Sequence, residues 1–256
     1  MGVSVHHQNA LARVAAYLQS NSRSERIGPF LVGFTPHTAS PWLNYAVPVP
    51  GASPTPAEAA ALVAAFEQRG LLPRLEYLPA TAPDVEPALS AAGFTAEGRP
   101  PVLVCAPADL RHPSGPDGIG YELATDRDVL HQVLVLQHEA YGEPAPPTPH
   151  DVDRAVRHVE RGGLTGLARD TATGPVVGAG QTTRAVGGVA ELVGVAVAAA
   201  YRRRGIAAAV SAFLTRTAHD RGADLVWLEA AGPGEQRVYE RVGYRKVGEK
   251  LYLSRR

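Results

Sequence analysis

The chain has 256 residues, of which 45% are hydrophobic, and its 25 Lys and Arg residues balance 25 Asp and Glu residues. This neutral composition makes nonspecific nucleic-acid binding a poor hypothesis, and the single cysteine, Cys105, excludes a disulfide framework or a cysteine-rich zinc site. No apolar run is long enough to cross a membrane, and the chain does not open with a signal-peptide pattern, so we expect a cytoplasmic protein without a membrane partner.

The first half of the sequence alternates between helical and strand-like patterns. Apolar spacing and the positions of Gly and Pro predict helices over residues 8–20, 56–68 and 84–92, and strands over residues 29–34, 44–49, 74–78 and 101–105. Residues 106–118 are rich in Pro, Gly and Asp and show no periodicity, so we interpret them as a linker.

The second half gives a longer series of elements. It predicts strands over residues 120–123, 164–169, 176–183, 190–197, 225–230 and 245–253, and helices over residues 127–140, 151–161, 205–221 and 235–241. Both halves end with the order helix, strand, short helix, Gly-aromatic pair and strand, with Gly93-Phe94 in one and Gly243-Tyr244 in the other. We therefore predict two related domains, residues 1–110 and 119–256, although chance similarity remains an alternative.

An arginine-rich turn precedes the long predicted helix. The segment Arg202-Arg203-Arg204-Gly205-Ile206-Ala207-Ala208 follows an apolar strand. A helix start presents unpaired backbone N–H groups and the positive end of the helix dipole, and small residues let a phosphate approach the backbone. Arginine side chains add charge for a diphosphate. The alternative is a basic helix entry on a solvated surface.

This turn resembles the signature of the GNAT superfamily of acyl-CoA N-acyltransferases. Arg202-x-x-Gly205-x-Ala207 is similar to the family's Gln/Arg-x-x-Gly-x-Gly/Ala, and Val238-Tyr239-Glu240 with Gly243-Tyr244 resembles its Leu-Tyr-Glu-x-x-Gly-Phe. The resemblance covers residues 119–256. It implies an α/β (α+β) fold class with two GNAT-like mixed-sheet domains flanked by helices, of which the N-terminal one is degenerate.

The resemblance also implies functional residues. For acetyl-CoA, used as co-substrate, the implied contacts are Val195, Ala196 and Val197 on the fourth strand and the turn residues Arg202, Arg203, Arg204, Gly205, Ile206, Ala207 and Ala208. Tyr239 is the expected general acid for the departing thiolate, and Glu191 is a candidate general base. Glu229, His138, Glu139 and a water chain are competing bases. No metal is implied, and Gly232 stands where the family often has Asn.

The first domain lacks the features that carry this chemistry. Residues 50–55 contain no phosphate-binding signature, and the residue four before Gly93 is Leu89, which cannot donate a proton. We expect this domain to close one side of the acceptor site, and the loop 141–149 to line it. The sequence thus predicts an N-acetyltransferase acting on a small-molecule or peptide amine, with a homodimer as one option. Alternatives are a different acyl donor and a noncatalytic acyl-CoA-binding regulator.

Overall fold

A computed structural model describes residues 5–20, 25–36 and 38–256 of the protein. The first half forms α1 (Val5–Ser20), β1 (Glu25–Ile27), β2 (Phe30–Gly33), β3 (Tyr45–Pro48), α2 (Pro56–Glu67), β4 (Arg74–Tyr77), α3 (Val85–Ala91), β5 (Thr95–Gly98) and β6 (Pro101–Cys105). The second half forms β7 (Ile119–Leu123), α4 (Arg127–Tyr141), α5 (Pro149–Glu160), β8 (Leu164–Asp170), β9 (Val176–Thr182), β10 (Val189–Val197), α6 (Ile206–Asp220), β11 (Leu225–Glu229), α7 (Pro233–Val242), β12 (Arg245–Glu249) and β13 (Leu251–Ser254).

These elements build two mixed sheets with flanking helices, as predicted. The first sheet has the order β1-β2-β3-β4-β13-β5, and the second has the order β12-β6-β11-β10-β9-β8-β7. The strands β1 and β5 are absent from the prediction because three- and four-residue polar segments carry no clear alternation of apolar residues.

The chain divides into two compact units, and the division differs from the predicted domain boundaries. Unit 1 comprises Met1–Val102 and Val247–Arg256, and unit 2 comprises Leu103–Lys246. The predicted strand 245–253 is in fact two strands. β12 is an edge strand of the second sheet, whereas β13 belongs to the first sheet and pairs antiparallel with both β4 and β5. An alternating apolar pattern shows that a segment is a strand but not which strands it will join.

Residues 106–118 belong to unit 2 and are attached to it. The backbone N–H of Arg111 donates to the carbonyl of Val242 at 2.8 Å, and the N–H of Thr171 donates to the carbonyl of Gly118 at 2.9 Å. This segment is irregular in structure, as predicted, but it is anchored to the surface of one unit.

Unit 1 has a core of aromatic and aliphatic side chains from its strands and from α2 and α3. Phe30, Leu62, Phe66, Leu75 and Leu89 are fully buried. Complete burial of one such side chain stabilises a fold by about 1.5–3 kcal/mol. Since Leu89 is one of these core residues, its role in the structure is packing.

Unit 2 buries apolar side chains on both faces of its sheet. One cluster packs α6 and α7 against the strands and includes Ala168, while the other packs α4 and α5 and includes Leu167. Adjacent strand residues point to opposite faces, so Leu167 and Ala168 show that helices cover both sides. This arrangement fixes the N-terminus of α6 and the face of α4 relative to β10.

Candidate active site

Two neighbouring strands of unit 2 separate partway along their length. β10 and β11 pair in parallel from Val189 to Glu191, which lies opposite Trp227. A cavity of about 830 Å³, here called the cleft, is lined by the later part of β10, the turn before α6, the first turn of α6, the end of β11 and α7. Its volume is in the range typical of small-molecule sites.

The strand that forms one wall of the cleft contains a β-bulge. On β9, Gln181 pairs with Val193 and Ala179 pairs with Ala196, so Gly194 and Val195 lie outside the regular register. Gly194 has φ +65°, and a Cβ placed on it would lie 2.7 Å from Nε2 of Gln137. Its left-handed conformation therefore favours glycine, and a side chain at this position would displace the amide of Gln137.

The N-terminus of α6 opens into the cleft. Gly205 is the N-cap residue with a left-handed φ of +89°, and Arg203 before it has φ +61°, which is uncommon for a residue with a side chain. In the described part of the chain, no side chain caps this terminus, and its first turn contains no acidic residue. The unpaired N–H groups of the first turn are therefore available to an anion.

In unit 1, by contrast, the N-terminus of α2 is capped by side chains. Thr55 and Glu58 form a capping box at the start of α2, in which the N–H of Thr55 donates to Glu58 Oε2 at 2.8 Å. These hydrogen bonds from Thr55 lower the pKa of Glu58. Because a carboxylate already occupies this helix terminus, an anionic ligand would be repelled from it.

Most residues of the predicted coenzyme site meet in the cleft. Its lining includes Val195, Ala196, Val197, Arg202, Arg203, Gly205, Ile206, Ala207 and Ala208. Arg204 is not part of this lining, and its guanidinium lies 5.0 Å from the ring centroid of Tyr201. Gly232 is the N-cap residue of α7.

Tyr239 projects from α7 into the cleft. Its ring contacts the ring of the buried Tyr244 edge-on at a centroid distance of 6.0 Å. Burial, and to a lesser degree the nearby Tyr141 and Glu235, raise the pKa of Tyr239 well above its ordinary value. This phenol is therefore protonated throughout the physiological pH range.

The cleft contains both of the carboxylates that sequence reasoning placed on strands. Glu191 lies at the point where β10 and β11 separate, and Glu229 lies at the end of β11. The backbone of Glu191 is fixed, since its N–H donates to Thr183 Oγ1 at 2.9 Å and its carbonyl accepts from the N–H of Thr183 at 2.9 Å.

A second cavity of about 460 Å³ adjoins the bulge of β10. Its lining includes residues of α4 and α5, together with Gln181, Val193 and Gly194. Tyr141, Val193 and Gly194 also line the cleft, so the two cavities meet at the bulge. His138 lines this second cavity, whereas Glu139 is exposed and lines neither.

Sequence reasoning missed Gln137 and included Tyr141 only as the first residue of the loop 141–149, although both side chains bring α4 to this site. Gln137 donates from Nε2 to the carbonyl of Gly194 at 2.7 Å, and the hydroxyl of Tyr141 donates to the carbonyl of Val195 at 3.1 Å. Their spacing of four residues places them on the same helix face, and a Gln among the apolar positions of α4 was the available signal.

The comparisons with known proteins agree with this geometry. Residues 130–244 match the profile of the Acetyltransferase (GNAT) family. A solved GCN5-related N-acetyltransferase from Kribbella flavida is 28% identical, with 96% of this chain and 95% of that chain covered and a TM-score of 0.79. Residues 130–244 are therefore a GNAT domain. GNAT relatives are acetyltransferases, and the fold supports acyl transfer.

Two other solved GNAT structures share the fold at lower identity. A GNAT-family acetyltransferase from Novosphingobium aromaticivorans is 19% identical, with 96% and 95% of the two chains covered and a TM-score of 0.55. A tandem GNAT protein from the clavulanic acid biosynthesis pathway is 14% identical, with 96% and 91% covered and a TM-score of 0.62. The search of curated proteins found no match.

The described residues include neither a membrane-spanning helix nor a metal-binding cluster. None of the helices in that part of the chain is both long and apolar enough to span a membrane. Within the same residues, no group of three or more His, Cys, Asp or Glu side chains is placed to hold a metal ion.

Proposed function

We propose that this GNAT protein transfers the acetyl group of acetyl-CoA to a primary amine by direct attack in a ternary complex. The observation that carries the proposal is the uncapped N-terminus of α6, which opens into the cleft between β10 and β11. The diphosphate of the coenzyme would accept hydrogen bonds from the first-turn N–H groups, with Arg202 and Arg203 supplying positive charge. The pantetheine arm would then lie along residues 195–197.

In this proposal the acceptor enters through the second cavity. That cavity meets the cleft at Tyr141, Val193 and Gly194, so an amine within it can reach a thioester held in the cleft. Its lining combines the imidazoles of His138 and His158 with amide, carboxylate and guanidinium groups. Such a lining favours a polar acceptor, either a small molecule or the side chain of a peptide.

The first chemical step requires a neutral amine. An ammonium has no lone pair, so a base must remove one proton before the nitrogen attacks the thioester carbon. We assign this role to Glu191, acting directly or through water, because it lies where the two strands separate. Glu229 lines the same cleft and is the alternative base.

The second step breaks the C–S bond. The electron pair leaves with sulfur, and Tyr239 donates its proton to form the coenzyme thiol. The attacking nitrogen loses its second ammonium proton as the amide forms, and this proton restores the Tyr239 phenol through solvent. Burial raises the pKa of Tyr239, and the same desolvation raises the proton affinity of a thiolate leaving into the cleft. The phenol is therefore always protonated when the thiolate forms. Backbone N–H groups of residues 195–197 would stabilise the oxyanion between the two steps.

The test begins with binding and proceeds to chemistry. Calorimetry with CoA and acetyl-CoA should show binding, and a panel containing spermidine, histamine, glucosamine and a lysine peptide should give amine-dependent release of free thiol. Binding without thiol release for any amine would favour the noncatalytic regulator, and the absence of binding would refute both functions.

A second experiment identifies the base. Glu191→Gln should lower turnover roughly 100-fold, as expected for loss of general base catalysis, with little change in coenzyme affinity. Glu229→Gln tests the alternative at the same site, and Glu240→Gln on the exposed face of α7 serves as the matched control. A larger loss in the Glu229 variant would transfer the role to that residue.

A further inference from the structure

The bulge of β10 is held from one side by α4. Gln137 and Tyr141 lie four residues apart on this helix, and they donate hydrogen bonds to consecutive carbonyls of the bulge, those of Gly194 and Val195. We refer to these two side chains as the α4 clamp.

The clamp supplies hydrogen bonds to the irregular part of β10. Gly194 and Val195 lie between the two paired segments of β10, outside the register with β9. Buried backbone carbonyls require hydrogen-bond partners, and the side chain of Gln137 is itself only 7% exposed. A buried amide at this position is costly unless it is hydrogen-bonded, so the contact fixes both groups.

Because the peptide group is planar, this contact also determines the direction of a backbone N–H in the bulge. The carbonyl of Gly194 and the N–H of Val195 belong to one rigid peptide unit and point in opposite directions. Since Gln137 holds that carbonyl towards α4, the N–H of Val195 must point away from α4. Tyr141 constrains the next peptide unit, between Val195 and Ala196, in the same way.

The geometry points to Gln137 and Tyr141 as positioning residues that aim the backbone N–H of Val195 at the thioester oxygen. This inference rests on the proposed function, because it requires a thioester in the cleft. Neither side chain takes part in bond making or breaking. The clamp acts through the peptide units that it orients, and the developing oxyanion is stabilised only while those units stay fixed.

Infrared spectroscopy of bound acetyl-CoA labelled with carbon-13 at its carbonyl tests this directly. A hydrogen bond to the thioester oxygen lowers the carbonyl stretching frequency, so the wild-type protein should shift the band relative to free acetyl-CoA. Gln137→Met removes the donor and keeps the length of the side chain, and it should reverse most of this shift. Gln132→Met, at an exposed position of the same helix, is the matched control and should retain it.

Tyr141→Phe gives an independent variant in case Gln137→Met does not fold. It removes one hydroxyl from an exposed ring and should reverse part of the shift. Its matched control is Tyr121→Phe, since the Tyr121 hydroxyl has no hydrogen-bond partner among the described residues. With an amine identified by the panel, both clamp variants should lower kcat roughly 10- to 100-fold while KM for acetyl-CoA changes less than about twofold.

The outcomes distinguish a failure of the α4 clamp from a failure of the proposed function. If wild-type protein does not bind acetyl-CoA, the proposed function fails. If it binds but the carbonyl band is unshifted, or if the shift survives equally in Gln137→Met and Gln132→Met, the clamp is refuted and the proposed function stands. An equal loss of coenzyme affinity and turnover would also refute a positioning role.

Discussion

A carboxylate introduced into the first turn of α6, like that of Glu58 in the first turn of α2, would test the anion site directly. Glu58 lies in the first turn of α2, and Ala207, which is half-buried and lines the cleft, lies in the first turn of α6. The variant Ala207→Glu would therefore place a carboxylate at the N-terminus that faces the cleft. Unlike most disruptive changes, an acidic residue in a first helical turn favours the helix by about 0.3–1 kcal/mol.

The size of the effect follows from simple electrostatics. A carboxylate about 4–6 Å from a phosphate charge, at an effective dielectric constant near 20, costs about 3–4 kcal/mol before screening by salt. Allowing for screening, we expect a loss of about 2–4 kcal/mol in coenzyme binding, which corresponds to a Kd raised roughly 30- to 900-fold. The melting temperature should be unchanged or higher.

Calorimetry with CoA at low and high ionic strength measures this effect, and Ala207→Gln is the matched control. The glutamine variant has the same side-chain size without the charge, so the difference between the two variants isolates electrostatics. That difference should shrink as salt increases. If the two variants lose affinity equally, the effect is steric, and if neither loses affinity, the diphosphate does not bind at α6.

Three further changes test other parts of the structure. Tyr239→Phe should lower turnover by a factor of about 10² to 10⁴ with little change in CoA affinity by calorimetry, and in the wild type no loss of rate below pH 10 should trace to this phenol, because its pKa is raised. Thr55→Ala should lower the denaturation midpoint by the equivalent of about 1 kcal/mol and leave CoA binding intact, since the cap belongs to unit 1. Burial lowers the pKa of His158, so the unfolded chain binds more protons below pH 6.5, the ordinary value for this group. Its contribution to stability should be complete above that pH and be lost as the pH falls through the lowered value, and His158→Gln should remove this part of the pH dependence in thermal melts.

The turn before α6 could be predicted from the sequence, because neighbouring residues determine its local structure. A strand, a glycine in left-handed conformation and an amphipathic helix follow directly in the chain, so the turn from Arg202 to Ala208 could be placed from its residues. Arg204 shows the limit of that reasoning. Its neighbours face the cleft while it stacks over Tyr201, and the direction of a long side chain depends on contacts that residue types do not reveal.

Contacts between distant segments could not be predicted from the sequence. Gln137 and Gly194 are 57 residues apart, and nothing in the local pattern of either pairs them. The partner strands of β13 were hidden for the same reason, because Leu251 and Leu253 would suit the inner position of either sheet. Likewise, only the structure shows that Lys250 is buried with its Nζ 2.6 Å from Oε2 of Glu76.

The position of β13 in the first sheet has a consequence for how the protein is made. This strand lies between β4 and β5, yet it is synthesised after all the residues of unit 2. Domains that fold during synthesis usually do so in order from the N-terminus. Here the first sheet lacks an inner strand until the residues of unit 2 have been synthesised, so unit 2 can complete its fold before unit 1. A chain that stops at Lys246 would leave β4 and β5 without the strand that joins them.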